Sequence, residues 1–530
     1  MAEPALKVVP KEKEPTDLSK VTSAELIYKT HTPELIFALC GFMGTDIHLI
    51  SDRLIYIMEN DFGYVCQKIK ISELIRKNAD GPELINLPEG STPEYVRVKN
   101  LIHQGNHLRS KFGESVLADL AIHLIGENRV KEATTLEENE GKTTGQQLVF
   151  KPRKVCFIID SIKNPAELNI LKTVYRRLLY CIGIFSPYEM RETYLKNKQL
   201  QPTEIVDLIE QDSHEEIKHG QGVRDTFVYA DYYLRVDSVT QGYIDMRLSR
   251  FLHLIFGTSI ITPTKDETAM FSAFSASSNS ACLSRQIGAS ITDKDGNVIS
   301  VGWNDVPCYH GGMYRSDSNH DLVGKEDLRC INFKNGQCQN DFNKNLLCTK
   351  LSSKLKEAGL ISADDIEKVT SLLKSSDLKR LIEFSRAVHA EMHAIIIGSQ
   401  KTGSQMVGGS LFTTTFPCHN CARHIVLAGI STVYYIEPYL KSLATILHSD
   451  SITENETTDK KLRILLYDGV SPRIYNRMFN YQDISKKDKD GIYIRRITRE
   501  ALPRFMETLE ALYSLESTAT KKLQTKDWHF

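Results

Sequence analysis

The stretch SLFTTTFPCHNC, residues 410–421, combines a strand, a sharp boundary and the start of a helix. Ser410–Thr415 is rich in β-branched and aromatic residues, which predicts a strand that ends before Pro417. Proline suits the first turn of a helix, and the sequence therefore predicts a helix over Cys418–Ala428. A second predicted strand, Thr432–Ile436, follows closely. A strand, a helix and a strand at this spacing indicate a βαβ unit in a helix-covered sheet.

Two thiols in this stretch and an imidazole upstream form a metal-binding set. Cys418 and Cys421 stand in a CxxC spacing, and the triplet HAE supplies His389 and Glu391. One His and two Cys fill three positions of a tetrahedral zinc and leave the fourth to water, whose pKa zinc lowers toward about 7. Glu391 is too few bonds from His389 to bind the same ion comfortably, so we expect it to move protons. A CxxC alone would also fit a redox pair or half of a structural zinc site.

The complete pattern narrows these alternatives. HxE followed by PCxxC is typical of zinc-dependent nucleobase deaminases. The sequence also predicts a helix over Val388–Ile397, so two helix starts converge on the metal, and a helix N-terminus stabilises a nearby thiolate. The order of the two motifs, with Pro417 directly before the first Cys, favours a catalytic site over coincidence.

Length and composition set broad limits. At 530 residues the chain is too long for one ordinary core, so we expect two or more domains. Its 66 basic and 67 acidic residues give no global basic field for a long nucleic-acid partner, although a local basic groove stays compatible. The 11 cysteines, an odd number, fit a reducing cytosol. Residues 1–19 lack the apolar stretch of a signal peptide, and no apolar run approaches the ~20 residues of a membrane span. We therefore expect a soluble, cytoplasmic protein.

The front half contains a glycine turn between a strand and a helix. Glu34–Cys40 predicts an apolar strand, and the turn that follows contains Gly41, Gly44, Thr45 and Asp46. A strand, a glycine turn and a helix are the context of a phosphate-binding loop. The full P-loop signature needs GxxxxGK[ST], whereas this turn lacks the lysine and has a shorter glycine spacing. Nucleotide binding by these four residues and a purely structural tight turn both fit.

A second buried strand, Val155–Ile159, ends in Asp160 and supports a nucleotide-type α/β domain. The polar segment 200–224 predicts a solvated surface helix, with a lid as the alternative. The predicted division of the chain is a flexible arm at 1–30, an α/β domain at 31–250, a zinc deaminase domain at 265–480 and a C-terminal extension at 481–530. The family resemblance described below implies that the domain at 31–250 is a degenerate P-loop, kinase-like domain.

Residues 305–350 are rich in further metal-binding side chains. They could form a second, structural zinc site, but their spacings match no tight zinc finger, and a long loop with free thiols is the alternative. The residues concerned are Cys308, His310, His320, Cys330, Cys338 and Cys348, with Cys282 upstream.

The segment from about 265 to 480 resembles deoxycytidylate deaminases. The resemblance rests on residues 268–289, on VGWNDVP at 301–307 and on the HAE and PCxxC motifs. Members of that family have a VGA strand and a GYNGxP turn ahead of the zinc motif. This chain differs at Ile287, Trp303 and Asp305, and Asp305 in place of glycine changes the expected geometry of the turn.

The resemblance implies a cytidine-deaminase-like α/β/α fold and specific roles for residues. Zinc would be held by His389, Cys418 and Cys421, and Glu391 would be the catalytic proton shuttle. The implied substrate contacts are Asn304 and Ala390. The family also suggests a homo-oligomer.

The front half is similar to the degenerate P-loop, kinase-like domain that is joined to deaminases in a bacterial group. That group is implicated in phage defence through depletion of deoxycytidine nucleotides, in some cases under control of a small RNA antitoxin. Segments 437–442 and 447–452 are similar to the tail of this two-domain form. The resemblance implies a three-layer P-loop-like N-terminal domain and a regulatory nucleotide there.

The function indicated is zinc-dependent deamination of deoxycytidine nucleotides, dCMP first and dCTP as a further candidate. Water activated by zinc would attack C4 of cytosine, and Glu391 would pass a proton to N3 and then to the leaving ammonia. One alternative is a polynucleotide or tRNA deaminase, which the neutral charge of the chain disfavours. The other is a nucleotide-sensing protein with an idle deaminase domain, which the intact Glu391 disfavours.

Overall fold

The structure is a computed structural model that describes residues 7–8, 22–81, 87–136, 147–214, 222–236, 241–309, 311–315, 327–439 and 442–530. Within these residues the strands are β1 Lys7–Val8, β2 His31–Thr32, β3 Leu35–Gly41, β4 Val65–Lys70, β5 Thr134–Leu136, β6 Gln147–Phe150, β7 Val155–Asp160, β8 Leu179–Phe185, β9 Tyr232–Arg235, β10 Gly288–Thr292, β11 Val298–Trp303, β12 Ser410–Thr415, β13 Thr432–Glu437, β14 Ile452–Thr453, β15 Leu462–Leu466, β16 Gly469–Val470 and β17 Glu507–Thr508.

The helices of the described residues are α1 Ser23–Tyr28, α2 Ile47–Asn60, α3 Ile71–Asn78, α4 Pro93–Phe112, α5 Val116–Lys131, α6 Pro165–Tyr175, α7 Tyr188–Asn197, α8 Pro202–His214, α9 Val223–Phe227, α10 Gln241–Phe256, α11 Lys265–Ser277, α12 Gln339–Glu357, α13 Ile366–Ser375, α14 Ala390–Thr402, α15 His419–Leu427, α16 Ala444–Leu447, α17 Tyr475–Phe479 and α18 Leu509–Thr520. The chain forms two compact units. The first unit is Met1–Thr262 with Asp468–Phe530, and the second unit is Pro263–Tyr467.

The first unit is built on a six-stranded sheet with the order β16-β9-β8-β3-β7-β4. Adjacent strands are parallel, except that β16 is antiparallel to β9. Every residue of β3 and β7 is buried, as expected for parallel strands covered on both faces. Helices α2 and α10 pack on the face that carries Leu35, Phe37 and Leu39. On β8, Gly183 lets Phe227 of α9 pack closely, because a Cβ there would lie 2.9 Å from the phenyl ring.

The C-terminal part of the chain returns to the first unit, so the predicted boundaries at 480 and 481 are wrong. Strand β16 pairs with β9 through Gly469 and Val470, and thereby extends the first unit's sheet. Helix α18 buries Leu509 and Leu512. Its Glu516 forms a buried ion pair with Arg129 of α5. These backbone and side-chain contacts make residues 468–530 part of the first unit instead of a deaminase tail and a separate extension.

The predicted flexible arm at residues 1–30 lies mostly outside the described residues. At its end, Ser23–Tyr28 forms a short helix with no buried residues. The helix forms because Thr22 and Glu25 cap each other's backbone N–H groups in a capping box.

The second unit is a three-layer α/β structure. Its sheet has the order β11-β10-β12-β13-β15-β14. The pairs β11–β10 and β10–β12 are antiparallel, and the remaining pairs are parallel. Ala289 and Ile291 pack in the core that contains Ala390 of α14. Ser290, which points to the other face, donates its hydroxyl to Ala269 O of α11 at 2.7 Å. The alternation of β10 therefore places α14 and α11 on opposite faces of the sheet.

Candidate metal centre and substrate cavity

The start of α14 positions an imidazole and a carboxylate. His389 is the N-cap residue of α14, and Glu391 lies in the first turn. The helix approaches β11 closely because position 302 is glycine, where a Cβ would lie 2.4 Å from Ala390 O. Immediately before the helix, the Val388 N–H donates to Asp305 O at 2.9 Å. The close packing and this backbone bond fix where His389 lies relative to the sheet.

The start of α15 positions the two thiols. Cys418 is the N-cap residue of α15, and the Cys421 N–H donates to Cys418 Sγ at 3.4 Å. Strand β12 ends directly before this helix, and Ser442 Oγ donates to Pro417 O at 2.7 Å. Both cysteines are buried. The positive end of the helix dipole favours a thiolate at Cys418.

The three predicted metal ligands come together. His389 Nδ1 lies 3.3 Å from Cys418 Sγ and 3.4 Å from Cys421 Sγ. All three ligand atoms lie within 4.8 Å of one another. Tetrahedral zinc with Zn–S near 2.3 Å and Zn–N near 2.0 Å places nitrogen and sulfur ligands about 3.5 Å apart. The donor chemistry and the observed spacing therefore both fit zinc.

The same contacts perturb the ionisation of the ligands. The pKa of the Cys418 thiol is lowered to about 4 because the Cys421 thiol and then the His389 ring hydrogen-bond to its sulfur. The bond to Cys418 raises the pKa of His389 to about 9 despite burial, and the nearby Glu391 carboxylate adds to this effect. Metal ligands must be deprotonated, so zinc competes with the protons on these groups.

Glu391 lies beside the metal ligands without belonging to the ligand set. Its Oε2 is 3.5 Å from Cys421 Sγ, and its side chain is buried. Burial raises the pKa of this carboxyl above its usual range. A buried carboxyl with a raised pKa can hold a proton and release it near neutral pH, which suits general acid–base work.

A cavity of about 330 Å³ opens over these residues. His389, Glu391 and Cys418 line it together with Ile287 and Phe416. The apolar and aromatic side chains of Ile287 and Phe416 suit a small planar ligand, and polar and charged side chains line much of the rest of the cavity.

Of the two predicted substrate contacts, Asn304 lines the cavity. Its side-chain oxygen accepts the Ile287 N–H at 2.7 Å, and its side-chain nitrogen donates to Arg285 O at 2.8 Å. Asn304 therefore holds the backbone of the cavity wall. Ala390 is fully buried and does not line the cavity, so a substrate contact there would fall to its backbone.

Asp305, a departure from the family pattern, serves the backbone of the site. Its Oδ1 accepts the Val306 N–H at 2.8 Å, and its Oδ2 accepts the Ala281 N–H at 3.0 Å. With its carbonyl bonded to Val388, this buried residue joins the turn after β11 to the chain before His389. A sequence signal for this role was available, because an aspartate in a turn caps nearby N–H groups.

In the described residues, the group of side chains that could hold a metal ion is His389, Cys418 and Cys421. Of the residues considered for a second zinc, His310 and His320 lie outside the described residues. Cys282, Cys330 and Cys338 line the same cavity, and Cys348 is buried in α12.

The glycine turn of the first unit lies between β3 and α2, as predicted. Gly44 has a positive φ of 84°, and Asp46 caps α2 by accepting the Leu49 N–H at 3.1 Å. Gly41 packs against Ile47, where a Cβ would lie 2.9 Å from its side chain. The hydroxyl of buried Thr45 has no hydrogen-bond partner among the described residues.

A carboxylate of the chain itself occupies this turn. The Met43 N–H donates to Asp212 Oδ2 at 2.7 Å, and Lys163 Nζ donates to Asp212 Oδ1 at 2.9 Å. Arg191 packs directly on Gly44. A Cβ added to Gly44 would lie 2.9 Å from the Cβ of Arg191 and 2.9 Å from its carbonyl oxygen. An external phosphate that used the Met43 N–H would therefore have to displace Asp212.

Comparison with known proteins identifies the region around the metal ligands. The family model "cytidine and deoxycytidylate deaminase zinc-binding region" matches residues 263–437. Deoxycytidylate deaminase of Enterobacteria phage T4 is 25% identical over 181 residues, which cover 34% of this chain and 80% of the phage protein. ComE operon protein 2 of Bacillus subtilis (strain 168) is 46% identical over 55 residues, 10% of this chain and 29% of that protein.

Among solved structures, the dCMP deaminase from the cyanophage S-TIM5, in complex with dCMP and dUMP, is 18% identical. The similarity covers 39% of this chain and 99% of the phage chain, with a TM-score of 0.23.

In the part of the chain that the structure describes, no helix is long and apolar enough to cross a membrane. The family match and the His/Cys/Cys group together show a zinc-binding deaminase domain, so the chain contains an enzyme of the deaminase class.

Proposed function

We propose that this protein hydrolytically deaminates deoxycytidine nucleotides, dCMP and also dCTP, to the corresponding deoxyuridine nucleotides. The observation that carries the proposal is the buried Glu391 carboxyl beside the His389, Cys418 and Cys421 group in a cavity of about 330 Å³. The match to the deaminase zinc-binding region and the deoxycytidylate deaminases of phages T4 and T2 support it.

The residues of the chain divide the reaction into separate tasks. His389, Cys418 and Cys421 would hold zinc, which supplies a Lewis acid that activates water at neutral pH. Glu391 would take one proton from the water and deliver it to N3 of cytosine. It would then take the second proton from the new hydroxyl on C4 and pass it to the amino group, which leaves as ammonia while the C4 carbonyl of uracil forms. Its raised pKa suits this exchange, because a general acid–base group works best near the ambient pH. Ile287 and Phe416, which line the cavity, would flank the base and exclude bulk water.

Two alternatives predict different substrates. A polynucleotide deaminase usually needs a broad basic surface, whereas this chain has a formal net charge of -1. A sensor with an idle deaminase domain would not need a buried acid–base group beside an intact ligand set, yet Glu391 is present. Deamination of a free nucleotide therefore fits the cavity best.

The test is to incubate the zinc-loaded protein with deoxycytidine, dCMP, dCTP, CMP and a cytosine-containing single-stranded oligonucleotide, and to quantify uracil products by chromatography. We expect turnover of dCMP and dCTP well above turnover of the oligonucleotide. Exclusive activity on the oligonucleotide would favour the polynucleotide alternative. Binding of nucleotides without any uracil product would favour the sensor.

For the first unit, we further propose that the turn with Gly41, Gly44, Thr45 and Asp46 binds a regulatory nucleotide when Asp212 is displaced. Lys163, now paired with Asp212, would then be free to meet a phosphate. The missing P-loop lysine would leave such a site without efficient phosphoryl transfer. The resemblance to the kinase-like domain of two-domain deaminases supports the assignment of this unit as a degenerate P-loop domain.

The same resemblance supports a biological role. We propose that a cytoplasmic homo-oligomer of this protein depletes deoxycytidine nucleotides during phage infection, with a small RNA antitoxin as a candidate inhibitor. In cells that express the protein, the dCTP pool should fall after phage challenge, and Glu391→Ala should abolish both that fall and any protection. Protection by the Glu391→Ala protein would contradict nucleotide depletion as the cause.

A further inference from the structure

Basic side chains line the cavity that contains the metal ligands and Glu391. The cations are Arg285, Lys344, Lys379 and Arg386, and the acidic lining residues are Asp341 and Glu391. Asp341 is largely exposed and pairs with Lys344 at 2.8 Å. The cavity wall therefore has an excess of positive charge. The proposed proton transfer by Glu391 does not account for these cations.

Lys344 on α12 is held in place before any ligand arrives. Only 18% of its side chain is exposed, and its Nζ donates to Lys379 O at 3.4 Å. This bond connects the N-terminal half of α12 to the turn at Asp377–Arg380, which carries Lys379. The Lys379 side chain is exposed and has no ion-pair partner within the described ranges. The ammonium group of Lys344 is thus held at the cavity wall, and Lys379, whose carbonyl holds it, supplies a second ammonium group.

Arg386 brings a third cation close to the metal site, three residues before His389. Its guanidinium stacks on the Phe333 ring at 3.8 Å from the ring centroid and hydrogen-bonds the Cys330 thiol. Its Nη1 is buried without a hydrogen-bond partner among the residues that the structure describes. A buried donor without a partner is costly, and an anionic ligand in the cavity would satisfy it.

We propose that Lys344, Lys379 and Arg386 bind the phosphate of the substrate and decide that the enzyme prefers nucleotides to nucleosides. The assignment rests on the proposed function, because the cavity is the one that would hold the cytosine. All three residues come from the segment between β11 and α14, which also carries the stacking ring of Phe333. The pyrimidine meets apolar side chains and Glu391 near the ligand set, and the phosphate meets the cations.

The cavity favours the phosphate of a free nucleotide over that of a polynucleotide. Its cations line an enclosure of about 330 Å³ instead of forming a long surface stripe. Arg386 and Lys344 are fixed by Phe333 and by the Lys379 carbonyl, so little side-chain entropy is lost when an anion binds.

The test compares kcat/KM for dCMP, dCTP and deoxycytidine in the zinc-loaded wild type, Lys344→Ala, Lys379→Ala and Arg386→Met. We expect each substitution to lower kcat/KM for dCMP about tenfold, mainly through KM, which is the loss of one charge-assisted contact. Deoxycytidine should change by less than about twofold. The matched control is Lys354→Ala, an exposed lysine on the same helix that does not line the cavity.

Calorimetry on the Glu391→Gln protein measures phosphate binding by the cavity cations separately from deamination. In that background dCMP should bind more tightly than deoxycytidine, and Lys344→Ala with Lys379→Ala should remove most of the difference. Equal effects of the cavity variants on dCMP and deoxycytidine, in proteins with normal zinc content and melting temperature, would overturn the proposal. If the wild type produces no uracil but this binding difference persists, the proposed deamination is wrong, whereas phosphate binding by Lys344, Lys379 and Arg386 is supported.

Discussion

Glu391 Oε2 lies 3.5 Å from Cys421 Sγ, although the two residues belong to different helices. The contact places a buried carboxyl at the edge of the His389, Cys418 and Cys421 group. Glu391 lies two residues after His389 on α14, so close packing of α14 on β11 positions the imidazole and the carboxyl together. Glu391 is therefore available for the proton transfer that we propose for it, because it is not one of the three candidate metal ligands.

The first prediction concerns that proton transfer. Glu391→Gln keeps the shape of the side chain but cannot exchange a proton, so the deamination rate should fall by about 10²–10⁴-fold. Zinc content, measured by elemental analysis, should stay near that of the wild type, because the three ligands are untouched. The control is Glu367→Gln on exposed α13, which should leave the rate unchanged. Near-normal turnover by Glu391→Gln would refute the proton-shuttle role.

The second prediction concerns the metal. Cys418→Ser and Cys421→Ser should each lose most bound zinc and all measurable activity, since the site would keep two of its three ligands. In the wild type, a chelator should lower the melting temperature of the second unit, and added zinc should restore it by mass action. Trp303 reports on the second unit once Trp528, the other tryptophan, is replaced by Phe. If the chelator does not change the melting temperature, zinc does not stabilise this unit.

The third prediction concerns Asn304, whose amide joins Arg285 O and the Ile287 N–H. Asn304→Ala leaves two partly buried backbone groups without this partner, so the free energy of unfolding of the second unit should fall by about 1 kcal/mol. It should also reduce the preference for dCMP over deoxycytidine, because Arg285 lines the cavity. Asn304→Asp keeps the acceptor for Ile287 and should lose less stability. Denaturation curves and kcat/KM ratios measure the two effects, and an unchanged dCMP preference would contradict the substrate role.

The sequence was informative where residues close in the chain perform the chemistry. The HAE and PCxxC motifs predicted that His389, Cys418 and Cys421 lie together with Glu391 beside them, which is their arrangement in the structure. The strand at Ser410–Thr415 was predicted with its observed bounds. The cations of the cavity were missed as a site, because Lys344, Lys379 and Arg386 lie on different local elements and converge only through folding.

The return of the chain to the first unit was missed for a related reason. Strand β16 has two residues, Gly469–Val470, and so short a strand has no hydrophobic period to detect. Its place follows from backbone bonds to β9, far away in the sequence. Likewise, Asp212 as the partner of the Met43 N–H could not be predicted, because 169 residues separate the two.

The fourth prediction concerns pH and the buried ion pairs of the first unit. Burial alone would raise the pKa of Glu34, but the guanidinium groups of Arg129 and Arg153 outweigh it and hold the pKa below its usual value of 4.5. A lowered folded-state pKa adds stability that is fully present above about pH 4.5 and is lost as the pH falls through the folded-state pKa. Glu34→Gln should therefore destabilise the first unit at pH 7 by about 3–5 kcal/mol.

The difference between the wild type and Glu34→Gln should shrink below about pH 4.5, because the wild-type carboxylate then becomes protonated as well. Trp528 fluorescence in a Trp303→Phe background follows the first unit during urea denaturation. A difference that is constant from pH 7 to pH 3 would show that the charge of Glu34 does not stabilise the fold.

The fifth prediction concerns the turn of the first unit and its carboxylate, Asp212. Asp212→Ala frees the Met43 N–H and the Lys163 ammonium, so pyrophosphate and nucleoside triphosphates should bind at least about tenfold more tightly than to the wild type. The control is Asp207→Ala on the same helix α8. Asp207 is partly exposed and pairs with Lys99 instead of Lys163, so its removal should not change binding. Isothermal calorimetry measures the affinities.

The choice of variant matters for this test. Gly44→Val would force a β-branched residue into a positive φ of 84° against Arg191, so it would disturb the turn with or without a ligand. Asp212→Ala removes only the competing anion, and its binding can be compared with its effect on deaminase rate. A nucleotide that binds Asp212→Ala and changes that rate would support a regulatory site. If neither the wild type nor Asp212→Ala binds nucleotide detectably, the turn is a structural element. Rapid phosphorylation of a nucleoside monophosphate would contradict the regulatory proposal, because a P-loop without its lysine should not transfer phosphate efficiently.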